Sequence, residues 1–277
     1  MKYIELYPGI SSSVLAFGCA SVMGAKSGST SKNAMFTALD NGVNHFDIAR
    51  SYGYGEAEKF VGKLLKSQRD NIVLASKFGI RATPLATLIR PLKPLLRSIK
   101  GETTHVSNNN STENQPANSR DLFHRRIPIN VPEMKKSLDE SLKKLQTDHL
   151  DYFFVHEPFA AIENSDEIFA EAIRLKESGK IKAFGLASDM ELLHLHAKYL
   201  SYFDLLQFNF NRAKSNREIE LTRKEMPNIL FSPLRNALAN SSPKEAFDAL
   251  QTRFPKSIFL CSMFNPEHIR QNCAIFK

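Results

Sequence analysis

Leu150-Asp-Tyr-Phe-Phe-Val-His156, then Asp166–Ser178, then Ala183-Phe-Gly-Leu-Ala-Ser188 form the stretch on which the fold turns. Its outer parts are short apolar runs with no alternation that would leave one face wet. Strands buried on both faces of a parallel sheet read this way. The middle part reads as a helix, so the whole is a strand–helix–strand unit. Upstream, Pro132–Leu145 carries Met134, Leu138, Leu142 and Leu145 at helical spacing, and Ile72-Val-Leu-Ala-Ser-Lys77 is a strand. Glu56–Lys66 places Ala57, Phe60, Val61, Leu64 and Leu65 on one helical face. Before it come strand His45-Phe-Asp-Ile-Ala49, helix Ser31–Asn41 with Ser31 as its expected N-cap, and strand Val14-Leu-Ala-Phe-Gly18.

Downstream the order continues as helix Glu191–Leu200, strand Leu205–Phe210, helix Ser215–Glu225 and strand Ile229-Leu-Phe-Ser232. Helix Pro243–Phe254, strand Ser257–Cys261 and a short helix from Pro266 complete it. Strand–helix alternation repeated eight times in a chain of 277 residues predicts an α/β fold, a (β/α)8 TIM barrel rather than an open doubly wound sheet. Tyr3–Leu6, a Pro8-Gly9 turn and Ser11–Ser13 predict a short β-hairpin ahead of the barrel. No interdomain linker interrupts the pattern, so residues 1–277 are expected to form one domain.

One insertion, 80–130, follows the third strand. Leu85, Leu88, Ile89, Leu92, Leu95, Leu96 and Ile99 recur at helical spacing, broken by Pro91 and Pro94, beside a basic face of Arg90, Lys93, Arg97 and Lys100. Ordinary packing over the barrel rim and contact with a membrane surface or an anionic substrate are both open for that segment. Thr103–Ser119 is polar and nearly free of apolar anchors, and is expected to be disordered.

With 42% hydrophobic residues the chain has ample material for a core. No stretch approaches the length of a transmembrane helix, and Met1-Lys-Tyr-Ile-Glu-Leu-Tyr does not read as a secretory signal. Cys19, Cys261 and Cys273 form no C-x-x-C pair, so neither disulfides nor zinc are expected, and a cytoplasmic setting is. The net charge of +8 fits either a solvated basic surface or an anionic small-molecule partner. No zinc-finger, helix-turn-helix or RNA-binding signature accompanies it, so nucleic acid is not expected. Oligomeric state carries no signal.

In such a barrel the reactive groups gather at the C-terminal ends of the strands. Strand two ends at Asp47 and leads into Arg50-Ser-Tyr52-Gly-Tyr-Gly55, strand three ends at Lys77, and strand four at His156. A free tyrosine, with a pKa of about 10, is a poor acid at neutral pH. A neighbouring ammonium lowers that value, a carboxylate aims the ammonium, and an imidazole orients a carbonyl or shares the proton. Asp47, Tyr52, Lys77 and His156 together are a device for protonating a carbonyl oxygen.

The run Phe46-Asp-Ile-Ala-Arg-Ser-Tyr-Gly-Tyr-Gly-Glu-Ala-Glu58 resembles the signature segment of the aldo-keto reductases. Ala75-Ser-Lys77-Phe-Gly and Phe154-Val-His156-Glu-Pro resemble two further segments of that family. The resemblance implies an NAD(P)-dependent oxidoreductase in which Tyr52 is the proton donor to an aldehyde or ketone. The reverse reaction would oxidise an alcohol or a sugar hemiacetal. It further implies that Gly18, Cys19 and Ala20 border the nicotinamide, that Ser188, Asp189 and Gln207 hold its carboxamide, and that Phe231 stacks under the ring. Ser232, Pro233 and Leu234 would approach the pyrophosphate, and Ser262 with His268, Arg270, Gln271 and Asn272 the adenosine end. NADP(H) is the cofactor the resemblance implies. NAD(H) stays open, because Ser262, Met263, Phe264 and Asn265 bring no charge to the 2′-phosphate position. Asp189 stands where Asn is usual, and a carboxylate cannot donate to the carboxamide oxygen. Relatives often carry a C-terminal extension over the substrate pocket; none follows Lys277, and insertion 80–130 is expected to take that role. The alternative is a cofactor-binding barrel acting as a regulatory or interaction subunit. The chain has neither G-x-G-x-x-G after a strand nor a P-loop.

Overall fold

The structure is a computed structural model that describes residues 1–89, 123–210, 223, 226–234 and 241–277. Two strands come first, β1 (Tyr3–Tyr7) and β2 (Ile10–Ser13), paired antiparallel as the expected hairpin. Eight parallel strands then close a barrel: β3 (Leu15–Gly18), β4 (His45–Asp47), β5 (Val73–Phe78), β8 (Leu150–His156), β9 (Ile181–Ala187), β10 (Leu205–Phe208), β11 (Asn228–Phe231) and β12 (Ser257–Cys261). Two further strands, β6 (Ile80–Ala82) and β7 (His124–Arg126), form a separate antiparallel ribbon within the insertion. That ribbon was not expected. In the insertion's helical stretch, α3 (Pro84–Ile89) is present; the basic residues from Arg90 to Lys100, the segment Thr103–Ser119 and all of helix Ser215–Glu225 but Arg223 lie outside the described residues.

The helices pack outside the barrel: α1 (Gly28–Asp40), α2 (Ala57–Leu65), α4 (Val131–Leu145), α5 (Ser165–Glu177), α6 (Pro243–Arg253) and α7 (Pro266–Ala274). Between β9 and β10 the chain runs through 3-10 turns over Met190–Tyr202 where an α-helix was expected. The first helix begins earlier than predicted. Its N-cap is Ser27, whose side chain accepts from the Thr30 amide, and Ser31 is buried inside the helix instead. Asn130 caps α4 in the same way through the Glu133 amide, and Ser242 with Glu245 forms a reciprocal capping box on α6.

Side chains alternate across each strand with period two, which sorts every barrel strand into an outward and an inward set. Phe46, Leu74, Phe153, Val155 and Phe184 belong to the large cluster that meets the helices. Ala16, Val73, Ala75, Tyr152, Phe154, Ala183, Leu205, Ile229 and Ile258 fill the barrel interior, joined from below by Leu6 and Ile10 of the hairpin. The hairpin therefore plugs the N-terminal end. There Ser12 Oγ lies 3.2 Å from His45 Nδ1 and 3.4 Å from the Tyr152 hydroxyl, and His45 is fully buried. Near the middle of the interior, a Cβ on Gly185 would lie 2.4 Å from the Phe154 ring, so that glycine is what lets the phenyl turn inward.

Outside the barrel, α2 crosses α4 at Gly62, where a Cβ would fall 2.5 Å from the backbone of Leu145. Backbone cannot rotate aside as a side chain can. Gly62→Ala is accordingly expected to lower unfolding free energy by about 1–3 kcal/mol despite the better helix propensity of alanine. Urea denaturation checks this; an unchanged or raised midpoint would show that the two helices separate at little cost.

Candidate active site

The inward set carries upward. On β5 it is Val73, Ala75 and then Lys77; on β8 Tyr152, Phe154 and then His156. On β4 it is His45 and then Asp47, and on β10 Leu205 and then Gln207. The apolar interior thus ends, at the C-terminal rim, in a layer of polar side chains. A cavity of about 100 Å³ opens over this layer, lined by Asp47, Tyr52, Lys77, His156 and Gln207 with Gly18, Cys19, Ala20, Phe231, Ser232 and Ser262. Glu157, Ala187 and Leu260 line it too, and sequence reasoning did not anticipate them.

Asp47 and Lys77 are 1% and 2% exposed and form an ion pair; Lys77 Nζ also donates to the Ile48 carbonyl at 3.0 Å. The second Asp47 oxygen accepts from Gln207 Nε2 at 2.8 Å. Such a buried pair is held by both partners, since loss of either leaves an uncompensated charge. The Lys77 ammonium lies 5.4 Å from the centre of the Tyr52 ring, and His156 meets that ring edge-on at 6.1 Å.

These surroundings act on Tyr52 in the direction opposite to the sequence expectation. Burial pushes its pKa well above the usual phenol value, and the negative charges of Asp47 and Glu157 push the same way. The lysine that was to lower it is matched to Asp47 instead. His156 is driven the other way: burial, then the charges of Lys77, Arg126 and His124, hold its pKa well below the usual imidazole range. Its Nδ1 is buried without a hydrogen-bond partner among the described residues. At neutral pH the layer thus holds a protonated phenol beside an uncharged imidazole.

Local structure keeps Tyr52 in place. The turn Tyr52–Gly55 has left-handed backbone at Gly53 (φ 58°), Tyr54 (φ 60°) and Gly55 (φ 84°). Both of its ends are tied to α4. Arg50, just before it, donates to Ser137 Oγ at 2.6 Å and pairs with Glu140, while Lys144 Nζ donates to the Gly55 carbonyl at 3.1 Å. Buried Glu58 accepts from Ser76 Oγ at 2.8 Å, linking α2 to the strand that carries Lys77. Glu157 (φ 46°) and Ser232 (φ 51°) also adopt left-handed backbone at the cavity wall, a cost that non-glycine residues bear most often at functional sites.

The residues expected to meet a dinucleotide divide into two groups. Gly18, Cys19, Ala20, Gln207, Phe231, Ser232 and Ser262 line the cavity, and a Cβ on Gly18 would sit 3.1 Å from Ser262 Oγ. Ser188, Asp189, Pro233, Leu234, His268, Arg270, Gln271 and Asn272 do not line it. Ser188 is fully buried, and its Oγ has no partner among the described residues. Arg270 and Gln271 both turn toward Glu267, at 3.4 Å and 3.0 Å, and Asn272 Nδ2 approaches Met263 Sδ at 3.6 Å. Among the described residues no cluster of metal-ligating side chains occurs, and no helix is long and apolar enough to cross a membrane.

An eight-stranded parallel barrel with an acid, a lysine and a histidine on consecutive strand ends defines the class, and comparison with known proteins names it. The chain belongs to the aldo/keto reductase family, whose model matches residues 14–255. It is 28% identical over 197 residues to aldo-keto reductase YhdN of Bacillus subtilis, covering 68% of this chain and 47% of that protein. To aldo-keto reductase yakc (NADP+) of Schizosaccharomyces pombe it is 26% identical over 178 residues, 62% of this chain and 42% of that one. The chain thus spans less than half the length of these two relatives. Among solved structures, an aldo-keto reductase of Bacillus halodurans in its holo form superposes with a TM-score of 0.72 at 20% identity, over 99% of this chain and 90% of that one. An aldo-keto reductase of Klebsiella pneumoniae in complex with NADPH gives 0.68 at 19% identity, over 99% and 89%. At these identities the likeness establishes the fold.

Proposed function

We propose that the protein, a single barrel domain over residues 1–277, is an NAD(P)(H)-dependent oxidoreductase that reduces an aldehyde or ketone, with Tyr52 as proton donor. One observation carries the reading: Asp47, Tyr52, Lys77 and His156 meet at one small cavity whose other wall, Gly18, Phe231, Ser232 and Ser262, suits a flat ring. The unpartnered Ser188 Oγ and the Gln207 side chain, which keeps Oε1 available, fit the carboxamide end of such a ring. When bound, the dihydronicotinamide supplies hydride to the carbonyl carbon. Tyr52 places its hydroxyl proton on the carbonyl oxygen as charge develops there, giving the alcohol. Lys77, fixed by Asp47, stabilises the resulting phenolate, and neutral His156 orients the carbonyl. Burial keeps Tyr52 in its protonated form at rest, the form that a proton donor needs.

Support for the cofactor comes from the family and from similar proteins described with NADP(+) or NADPH. NADP(H) is the expected form. The three thiols are free and buried, in keeping with a reducing compartment such as the cytoplasm. Fluorescence titration with NADPH and NADH tests the reading, followed by loss of dihydronicotinamide absorbance with a panel of aldehydes and ketones. Saturable binding with turnover is expected, NADPH binding more tightly. Binding without turnover on any carbonyl would favour a regulatory barrel, and no binding would end the proposal.

A further inference from the structure

Gly79 is where the ribbon of β6 and β7 leaves the barrel. Its φ of 115° suits glycine, and a Cβ there would lie 3.0 Å from the His156 carbonyl oxygen. The ribbon thus begins against the strand end that carries His156, and the Ile127 amide donates back to the Gly79 carbonyl at 2.9 Å. Ile80 pairs with Arg126 and Ala82 with His124. These four share one face of the ribbon, while Arg81 and Arg125 share the other.

The first face meets both loops that flank the site. At the end of β6, Ala82 meets the Tyr52 turn: a Cβ on Gly55 would lie 3.3 Å from the Ala82 Cβ. Phe123, one residue before β7, meets the Tyr54 ring edge-on at 5.5 Å. Helix α3, which follows β6, also lies against that turn. At the opposite end of β7, Arg126 donates to the Glu157 carbonyl and lies 4.0 Å from the Glu157 carboxylate. Its guanidinium stacks over the Phe159 ring at 5.3 Å. Arg126 therefore grips a residue of left-handed backbone that directly follows His156. No residue of β6 or β7 lines the cavity, and neither does Phe123. The ribbon acts on the site through the two loops it touches. Three residues long on each strand, it would be marginal alone, but it is rooted at Gly79 and held at both ends.

We propose that the ribbon is a brace that fixes Tyr52 relative to His156, with Phe123 and Arg126 as its positioning residues. The proposal rests on the oxidoreductase reading. A proton donor and the group that orients the carbonyl must be aimed at one oxygen together, and a misplacement of about 1 Å can cost ~10²-fold in rate. The two rings meet edge-on, their centres 6.1 Å apart, and the brace maintains that relation. Arg126 adds an electrostatic effect at the same place: after burial and the charge of Lys77, its own charge helps to hold His156 neutral.

Phe123→Ala and Arg126→Gln, each made in the full chain, are expected to lower kcat for carbonyl reduction about fivefold to tenfold with cofactor affinity unchanged. Phe123 is half-buried and Arg126 exposed, so the urea midpoint should stay close to that of the unmodified protein. Arg126→Lys keeps the charge without the planar fork and should recover only part of the loss. Full recovery would mean that charge alone matters, and would overturn the positioning role. Because freeing either end releases the brace, the double variant should be slower than the slower single variant by no more than about twofold. Effects that multiply would show that each residue serves only its own loop. Fluorine NMR of protein labelled with meta-fluorotyrosine reads Tyr52 without turnover, its signal assigned by its loss in Tyr52→Phe. Arg126→Gln, from the far end of the ribbon, should shift or broaden that signal as Phe123→Ala does; an unchanged signal in either variant would overturn the brace. Disturbed Tyr52 signals in a protein that reduces no carbonyl would leave the brace standing and remove the oxidoreductase reading. Turnover that neither variant alters would do the reverse.

Discussion

Tyr52→Phe is expected to lower kcat for carbonyl reduction by about 10²- to 10⁴-fold, the range in which a positioned general acid contributes. The substitution keeps the ring, its edge contact with His156 at 6.1 Å and the Lys77 ammonium 5.4 Å from its centre. It removes one hydroxyl. NADPH affinity should change little, because the ring still walls the cavity. Asp47 or Lys77 would be poorer tests, since removing either leaves a buried charge unmatched and threatens the fold at a cost of about 3–5 kcal/mol. Single-turnover measurement under saturating cofactor separates the chemical step from binding. A kcat within a few-fold of the unmodified protein would remove Tyr52 from the reaction.

Acid is expected to destabilise the fold with an unusual slope, and the cause lies at the opposite end of the barrel. His45 is fully buried beneath the hairpin, and burial lowers its pKa to about 3. In the unfolded chain the same imidazole titrates near 6.5. Between these values the unfolded state binds a proton that the folded state refuses, so stability falls as pH falls. From about pH 6.5 to pH 3 the loss is about 1.4 kcal/mol per pH unit, roughly 5 kcal/mol in all; above that window stability is independent of this group. His156, lowered in the same direction, steepens the slope. Urea unfolding measured at successive pH values reads it directly. His45→Gln should flatten the dependence by one histidine's share; a slope that is already flat in the unmodified protein would show that His45 gains a proton without unfolding.

The barrel was legible because burial on both faces leaves its mark on composition. Strands such as Leu150–His156 are buried along their whole length and mostly apolar, Asp151 aside, and their polar C-terminal ends then stand out. The same property exposed Asp47, Lys77 and His156, each a charged or titratable residue near the C-terminal end of a fully buried strand. Helix starts were less legible: Ser27 and Ser31 are chemically equivalent as caps, and only the backbone conformation at Ser27 distinguishes them. The β6–β7 ribbon was not legible, since each strand is three residues long and its partner stands beyond a long intervening segment. Nor was Glu157, whose left-handed backbone no glutamate advertises. The direction of the Tyr52 shift depends on which neighbour claims the Lys77 charge, and that is fixed by distances a sequence does not contain. At the adenosine end the side chains have partners that the sequence does not show. Arg270 and Gln271 are present as noted, but Glu267, one turn away, engages both.

The hairpin that closes the base of the barrel has a kinetic consequence. With Leu6 and Ile10 sealing one end, water, substrate and product share the opening at the other. Under the proposed chemistry, the hydrogen ion that leaves Tyr52 in each cycle must be replenished through that same portal. Recharging the phenol and departure of the alcohol thus become sequential traffic through one gate. A solvent isotope effect that grows as medium viscosity rises would be the signature of that queue.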